Sequence, residues 1–154
     1  MLYLNGQVLT ARLDKPFRID YTTNITQRTG EQMTKPSKKN LIDVRCWKTD
    51  GMTTVKDIVG VIDYPIAIHR PFAEHESIQQ GNRKRYSGEW CITHIPTGKG
   101  MGVRSTDWNA IVQYAKAVKD HPVMLMITDK TMVEHPMYRD LVDLHTESRR
   151  KWRV

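Results

Sequence analysis

Residues 41–47 alternate strictly, with Leu41, Asp43, Arg45 and Trp47 on one side and Ile42, Val44 and Cys46 on the other. A period of two is the signature of a strand that buries one face. A turn around Asp50-Gly51 follows. Residues 55–68 continue as a β-rich stretch whose regular length Gly60 and Pro65 limit. Further on, Trp90, Ile92 and His94 alternate against Cys91, Thr93 and Ile95. Pro96-Thr97-Gly98-Lys99-Gly100 then supplies a turn, and the chain returns through Met101 and Val103. This is the clearest hairpin in the sequence. At the start of the chain, Asn5-Gly6 between residues 2–4 and 8–13 predicts another hairpin, and Phe17, Ile19 and Tyr21 predict a third strand beside it.

The period changes after residue 105. Ser105, Thr106 and Asp107 are helix-capping residues, and Trp108, Ile111, Val112, Ala115 and Val118 recur at helical spacing. A helix is predicted over 105–120. His121-Pro122 ends it, residues 123–127 read as a short central strand, and Pro136 opens a second helix over 136–151 with Met137, Leu141 and Leu144 as its apolar stripe. Residues 22–40 and 69–88 hold few large apolar groups and read as long polar loops or arms. The predicted fold class is α+β, an antiparallel β-sheet packed against two main helices, in a single domain over 1–154 with a basic C-terminal end at 147–154.

A chain of 154 residues with 39% hydrophobic residues is long enough to bury a core without disulfides. Cys46 and Cys91 lie in strand-like apolar runs, where a free cysteine behaves as a small buried hydrophobe. No apolar run approaches a membrane span, and the first residues lack the basic and apolar segments of a secretory signal. The expected setting is the reducing cytoplasm, away from a membrane.

Charge adds the functional signal. The net charge is +7, and its excess is confined to three segments. Arg28, Lys35, Lys38 and Lys39 face only Glu31 in 28–39; Arg83, Lys84 and Arg85 form a second cluster; Arg149, Arg150, Lys151 and Arg153 face only Glu147 at the end. The rest of the chain is slightly negative. Two of the clusters are followed by aromatics: Tyr86 and Trp90 after the second, Trp152 within the third. Cations neutralise phosphates and exposed rings stack on bases, so this pattern suits nucleic acid or a nucleoprotein assembly. The same clusters would also steer the chain onto an acidic host protein surface, as an inhibitor.

Other chemistry is weakly encoded. Thr97-Gly98-Lys99-Gly100 lacks the first glycine and the hydroxyl of a phosphate-binding P-loop, and Gly98, Gly100 and Gly102 miss the dinucleotide spacing. What survives is a helix start after Gly102, near Lys99 and Arg104, where an anion would rest. Of the six histidines, only His94 has a cysteine close by, and in a strand Cys91 and His94 fall on opposite faces, against a shared metal. Glu74-His75-Glu76 offers loop ligands without a second partner. His94 beside Thr93, and His145 beside Thr146 and Asp143, supply acid–base residue types for a small phosphodiesterase or nucleotide-modifying enzyme. No cofactor or metal is predicted.

The expectation is a small basic non-enzymatic binding protein. Lys35, Lys38, Lys39, Arg83, Lys84, Arg85, Lys99, Arg104, Arg149, Arg150, Lys151 and Arg153 would contact phosphates, and Trp152 would stack. In size, basic loops and lack of a catalytic signature the chain resembles the accessory and host-takeover proteins of bacteriophages, a likeness that covers no motif and assigns no residue.

Overall fold

In a computed structural model, the described residues are 33–82 and 85–154, all belonging to the unit Met33–Val154. The expected Asn5-Gly6 hairpin, the strand at 17–21, most of the 22–40 arm, and Arg83 and Lys84 lie outside them.

Five strands pair antiparallel in chain order: β1 (Leu41–Lys48), β2 (Gly51–Asp63), β3 (Ile66–His69), β4 (Trp90–His94) and β5 (Lys99–Ser105). Each expected strand of this region is present, and the 55–68 stretch is divided at Tyr64-Pro65, as the proline requires. β2 pairs with β1 along its first part and with β3 along its last. Within the β1-paired part, Asp57 adopts a left-handed conformation (φ 53), its N–H donates to Asp43 Oδ1 at 3.1 Å, and the β1–β2 register shifts between Ile42 and Val44. Such an irregularity bends a hairpin and raises its twist. The sheet therefore curls until Trp47 N–H donates to the Gly98 carbonyl in the β4–β5 turn at 3.0 Å. Gly98 permits this: it has φ +69, and a Cβ on it would fall 2.7 Å from Met52 Sδ. Gly60 is tighter still, since a Cβ there would lie 2.6 Å from the Ile68 carbonyl oxygen.

Curling gives the sheet two buried faces. Inside the curl, Val44, Cys46, Val55, Ile58 and Ala67 form one apolar cluster, joined by Phe72. On the other face, Ile66, Ile68, Trp90 and Ile92 pack against the helices. Completely burying a side chain the size of isoleucine stabilises by about 1.5–3 kcal/mol, so these central strands anchor the fold.

Helix α2 (Trp108–Val118) starts where the capping residues predict. Asp107 accepts from the backbone N–H groups of Asn109 and Ala110, and Trp108, Ile111, Val112, Ala115 and Val118 are all buried. Helix α4 (Tyr138–Trp152) begins just after the expected start, burying Leu141 and Ser148. Two further helices complete the α+β fold. The 69–88 segment is not wholly a loop: it contains α1 (Phe72–Gln79), whose polar sequence hides that Phe72 stacks on His69 at 4.3 Å and that Glu74 and His75 are buried. The expected strand at 123–127 is instead a 3₁₀ turn, Pro122–Leu125. Pro122 fixes a helical φ and has no N–H for a ladder, and His121 accepts from Val123 N–H at its start. After it comes α3 (Asp129–Val133), which Thr128 and Thr131 cap reciprocally. Among the described residues no helix is long and apolar enough to cross a membrane.

Candidate functional site

Strand register locates the two ends of the molecule. Gly60 pairs with His69, His69 with Cys91, and Cys91 with Arg104, while Gly60 N–H donates to the Asn40 carbonyl at 3.0 Å. This row crosses the sheet at one end. Lys38 and Lys39, exposed beside the turn that Ser37 and Asn40 close, immediately precede it. Met33 lies at the same end, because its carbonyl accepts from Trp108 Nε1 and Trp108 follows closely on the end of β5; Lys35 is two positions along. Arg85 adjoins Tyr86, whose ring lies 5.5 Å from the Arg70 guanidinium.

Helix α4 returns to this end. Tyr114 hydrogen-bonds His145 midway along α2 and α4, and Tyr138 and Leu141 line a pocket with Met124 and Met132 from the chain that follows α2. The two helices are therefore antiparallel. From Tyr114 back to Trp108 is about 9 Å of helix and from His145 on to Trp152 about 10 Å, so the basic end of α4 finishes level with the start of α2.

Ion pairing separates the candidate cations. Lys35, Lys38, Lys39, Arg85, Arg150, Lys151 and Arg153 have no carboxylate partner among the described residues and Arg149 Nε donates to the Val154 oxygen at 3.3 Å, whereas Lys99 pairs with Asp129 and Arg104 lies 3.8 Å from Glu89. Lys99 also belongs to the opposite end, paired in register with His94, about 17 Å along β5 from Arg104. The expected anion rest between Lys99, Arg104 and the start of α2 is thus not assembled, and the side chain of Asp107 already occupies that helix start. Trp152 is half-buried against the helix-side core with Lys151 5.0 Å over its ring, so it is a packing group more than a free platform. The most exposed tryptophan is Trp47, at 54%. The alternation along β1 had already placed it on the outer face.

The histidines divide by their hydrogen bonds. Cys91 and His94 do fall on opposite faces, and Cys91 Sγ is instead 3.5 Å from His69 Nδ1 on the neighbouring strand. His69 Nδ1–H donates to the Arg70 carbonyl at 2.7 Å and Nε2 accepts from Thr93 Oγ1 at 2.8 Å. Burial holds its pKa down at about 4 and pushes the Cys91 thiol up to about 12. A neutral imidazole beside a neutral thiol is a packed pair and not a nucleophile. His75, in α1 and not in a loop, donates from Nε2 to the Lys56 carbonyl and accepts at Nδ1 from Tyr86; neighbouring Glu76 pairs with Lys48. His94 Nε2–H donates to the Met124 carbonyl at 2.6 Å and Nδ1 accepts from Thr97 Oγ1 at 2.8 Å, with burial lowering its pKa. His145 alone among these four keeps a nitrogen without a partner. Among the described residues no three histidine, cysteine or acidic side chains are grouped to hold a metal.

His94 and His145 nonetheless line one pocket of about 230 Å³ at the end opposite the cations, with Lys99, Asp129 and Tyr138. Fifty residues of intervening chain hide this proximity from the sequence. Comparison of the chain with family models, curated proteins and solved structures gives no match.

Proposed function

We propose that the chain is a binding protein for nucleic acid or a nucleic-acid-bound assembly, which it meets with the end of the sheet bearing Lys35, Lys38, Lys39, Arg85 and the last turn of α4. The supporting observation is that these cations, Arg149 apart, gather at one end without carboxylate partners among the described residues, while Lys99 and Arg104 have acidic neighbours. Unpaired lysine and arginine on a surface are free to exchange small counterions for phosphates, and that release drives association. Arg83 and Lys84, adjacent to Arg85 in the chain, would add to the same positive field. The test is an electrophoretic mobility assay with single-stranded DNA, duplex DNA and RNA at two salt concentrations. A complex that dissolves as salt rises supports the reading. Absence of any complex at low salt, or one indifferent to salt, refutes it.

A second reading, a histidine-dependent phosphodiesterase, draws on the pocket that holds His94, His145 and Lys99 together. With both His94 nitrogens engaged, proton exchange would fall to His145 alone. Cleavage of a nucleic-acid probe that is lost in His145→Ala would favour it over simple binding.

A further inference from the structure

The pocket at the far end of the sheet has walls of Met101, Met124, Met132 and Leu141. Its polar lining is His94, Thr97, Lys99, Asp129, Tyr138 and His145, with Tyr114 behind His145. Tyr114 is completely buried, and its hydroxyl hydrogen-bonds His145 Nδ1 and no other described group. A buried O–H must donate, so Nδ1 accepts and the His145 proton sits on Nε2. That Nε2–H makes no hydrogen bond to a described residue. Protonation of the ring is disfavoured, since burial and then Arg149 both lower its pKa. Lys99 and Asp129 on the rim neutralise each other. With both His94 nitrogens and the Thr97 hydroxyl engaged, the pocket offers the uncharged His145 imidazole and the Tyr138 phenol among thioether and aliphatic walls, with no net charge from these groups.

We propose that this pocket binds a small uncharged aromatic molecule carrying a hydrogen-bond acceptor. Methionine sulfur is polarisable and favours the edges of aromatic rings, and three flexible thioethers adapt to such a guest. The volume selects one or two rings: an apolar cavity of about 150 Å³ already holds benzene, while sites for drug-sized ligands start near 300 Å³. The acceptor answers His145 Nε2–H. A carboxylate in its place would lose hydration and meet Asp129, which already holds Lys99. This site is separate from the cationic end and stands whether or not that end binds nucleic acid; it competes with the phosphodiesterase reading, which needs an anion in the same pocket.

Acetophenone, benzoate and ethylbenzene share a ring and differ in the group offered to His145. In a titration followed by NMR of the methionine methyl groups and the histidine ring signals, acetophenone should shift Met101, Met124, Met132 and His145 saturably. It should bind several-fold more tightly than either analogue. Val142 lines the pocket from its exposed side, so Val142→Trp should fill the space and abolish the shifts while the rest of the spectrum stays native. Unchanged methyl signals with acetophenone, a titration that Val142→Trp does not alter, or benzoate binding as tightly as acetophenone would each overturn the proposal.

Discussion

Trp108 Nε1 donates to the Met33 carbonyl at 3.0 Å, tying the segment that carries Lys35, Lys38 and Lys39 to the first turn of α2. Trp108 also meets Trp90 edge-on, with ring centroids 4.8 Å apart, so the anchor is itself held by the core. Replacing Trp108 by Phe removes the donor and leaves most of the packing. A loss of about 1 kcal/mol in urea unfolding is expected, together with faster amide exchange over 34–40 than in the parent chain. Unaltered exchange there would show that the segment is held by other means.

Acid should destabilise the fold through His69. Its folded pKa is about 4 against about 6.5 in an unfolded chain. Between these values the unfolded state binds the extra proton, so stability rises with pH through that window and is fully present above it. Burial lowers the pKa of His94 and of His145 as well, which adds in the same direction. Unfolding free energies from urea melts at pH 7 and pH 4.5 should differ by about 2–3 kcal/mol, with the midpoint lower at pH 4.5, and His69→Gln should flatten the dependence. Equal midpoints would contradict the burial described for this ring.

Both thiols should be inert in the folded state. Burial raises the pKa of Cys46 and Cys91, and only the thiolate is nucleophilic. Reaction with a disulfide reagent at pH 8 should be slow for the native protein and rapid for both cysteines in guanidinium chloride. Rapid labelling of Cys91 without denaturant would mean that the His69 side of the sheet opens readily.

The two glycines that let backbone approach backbone should differ in their tolerance. Gly60→Ala drives a methyl against the Ile68 carbonyl and His69 Cβ, neither of which can retreat without shifting β3. A loss of about 2–3 kcal/mol is expected. At Gly98 the obstruction is the flexible end of Met52, but the positive φ adds its own strain, of about 1 kcal/mol for alanine. Thermal unfolding of the two variants checks the order, which reverses if Met52 has no room to move.

Periodicity revealed much of this architecture because each element buries one face cleanly. The alternation over 41–47 and the spacing from Trp108 to Val118 correspond to side chains that are in fact inside. Helix α1 escaped because the residues that seat it, His75 and Glu74, are polar by composition and buried by hydrogen bonding. The 123–127 run misled because a short apolar stretch fits a strand or a helical turn equally, and Pro122 decided between them. At the cationic surface, charge was readable and pairing was not. Nothing adjacent to Lys99 in sequence announces Asp129, whereas the isolation of Lys151 and Arg153 depends on how α4 emerges from the fold. Trp152 likewise looked like a ring in solvent until the packing of α4 placed it against the core.

Salt dependence measured on matched variants probes the cationic end most directly. Fluorescence anisotropy of a labelled oligonucleotide, recorded from low to physiological salt, should give log affinity falling by roughly 0.7–0.9 per phosphate neutralised for each unit of log salt. Substituting Arg149, Arg150, Lys151 and Arg153 by Gln should weaken binding and make that slope shallower, while Lys99→Gln, at the opposite end, should change neither. Identical slopes for the parent and the fourfold variant, or an equal effect from Lys99→Gln, would contradict a binding surface at the end of α4.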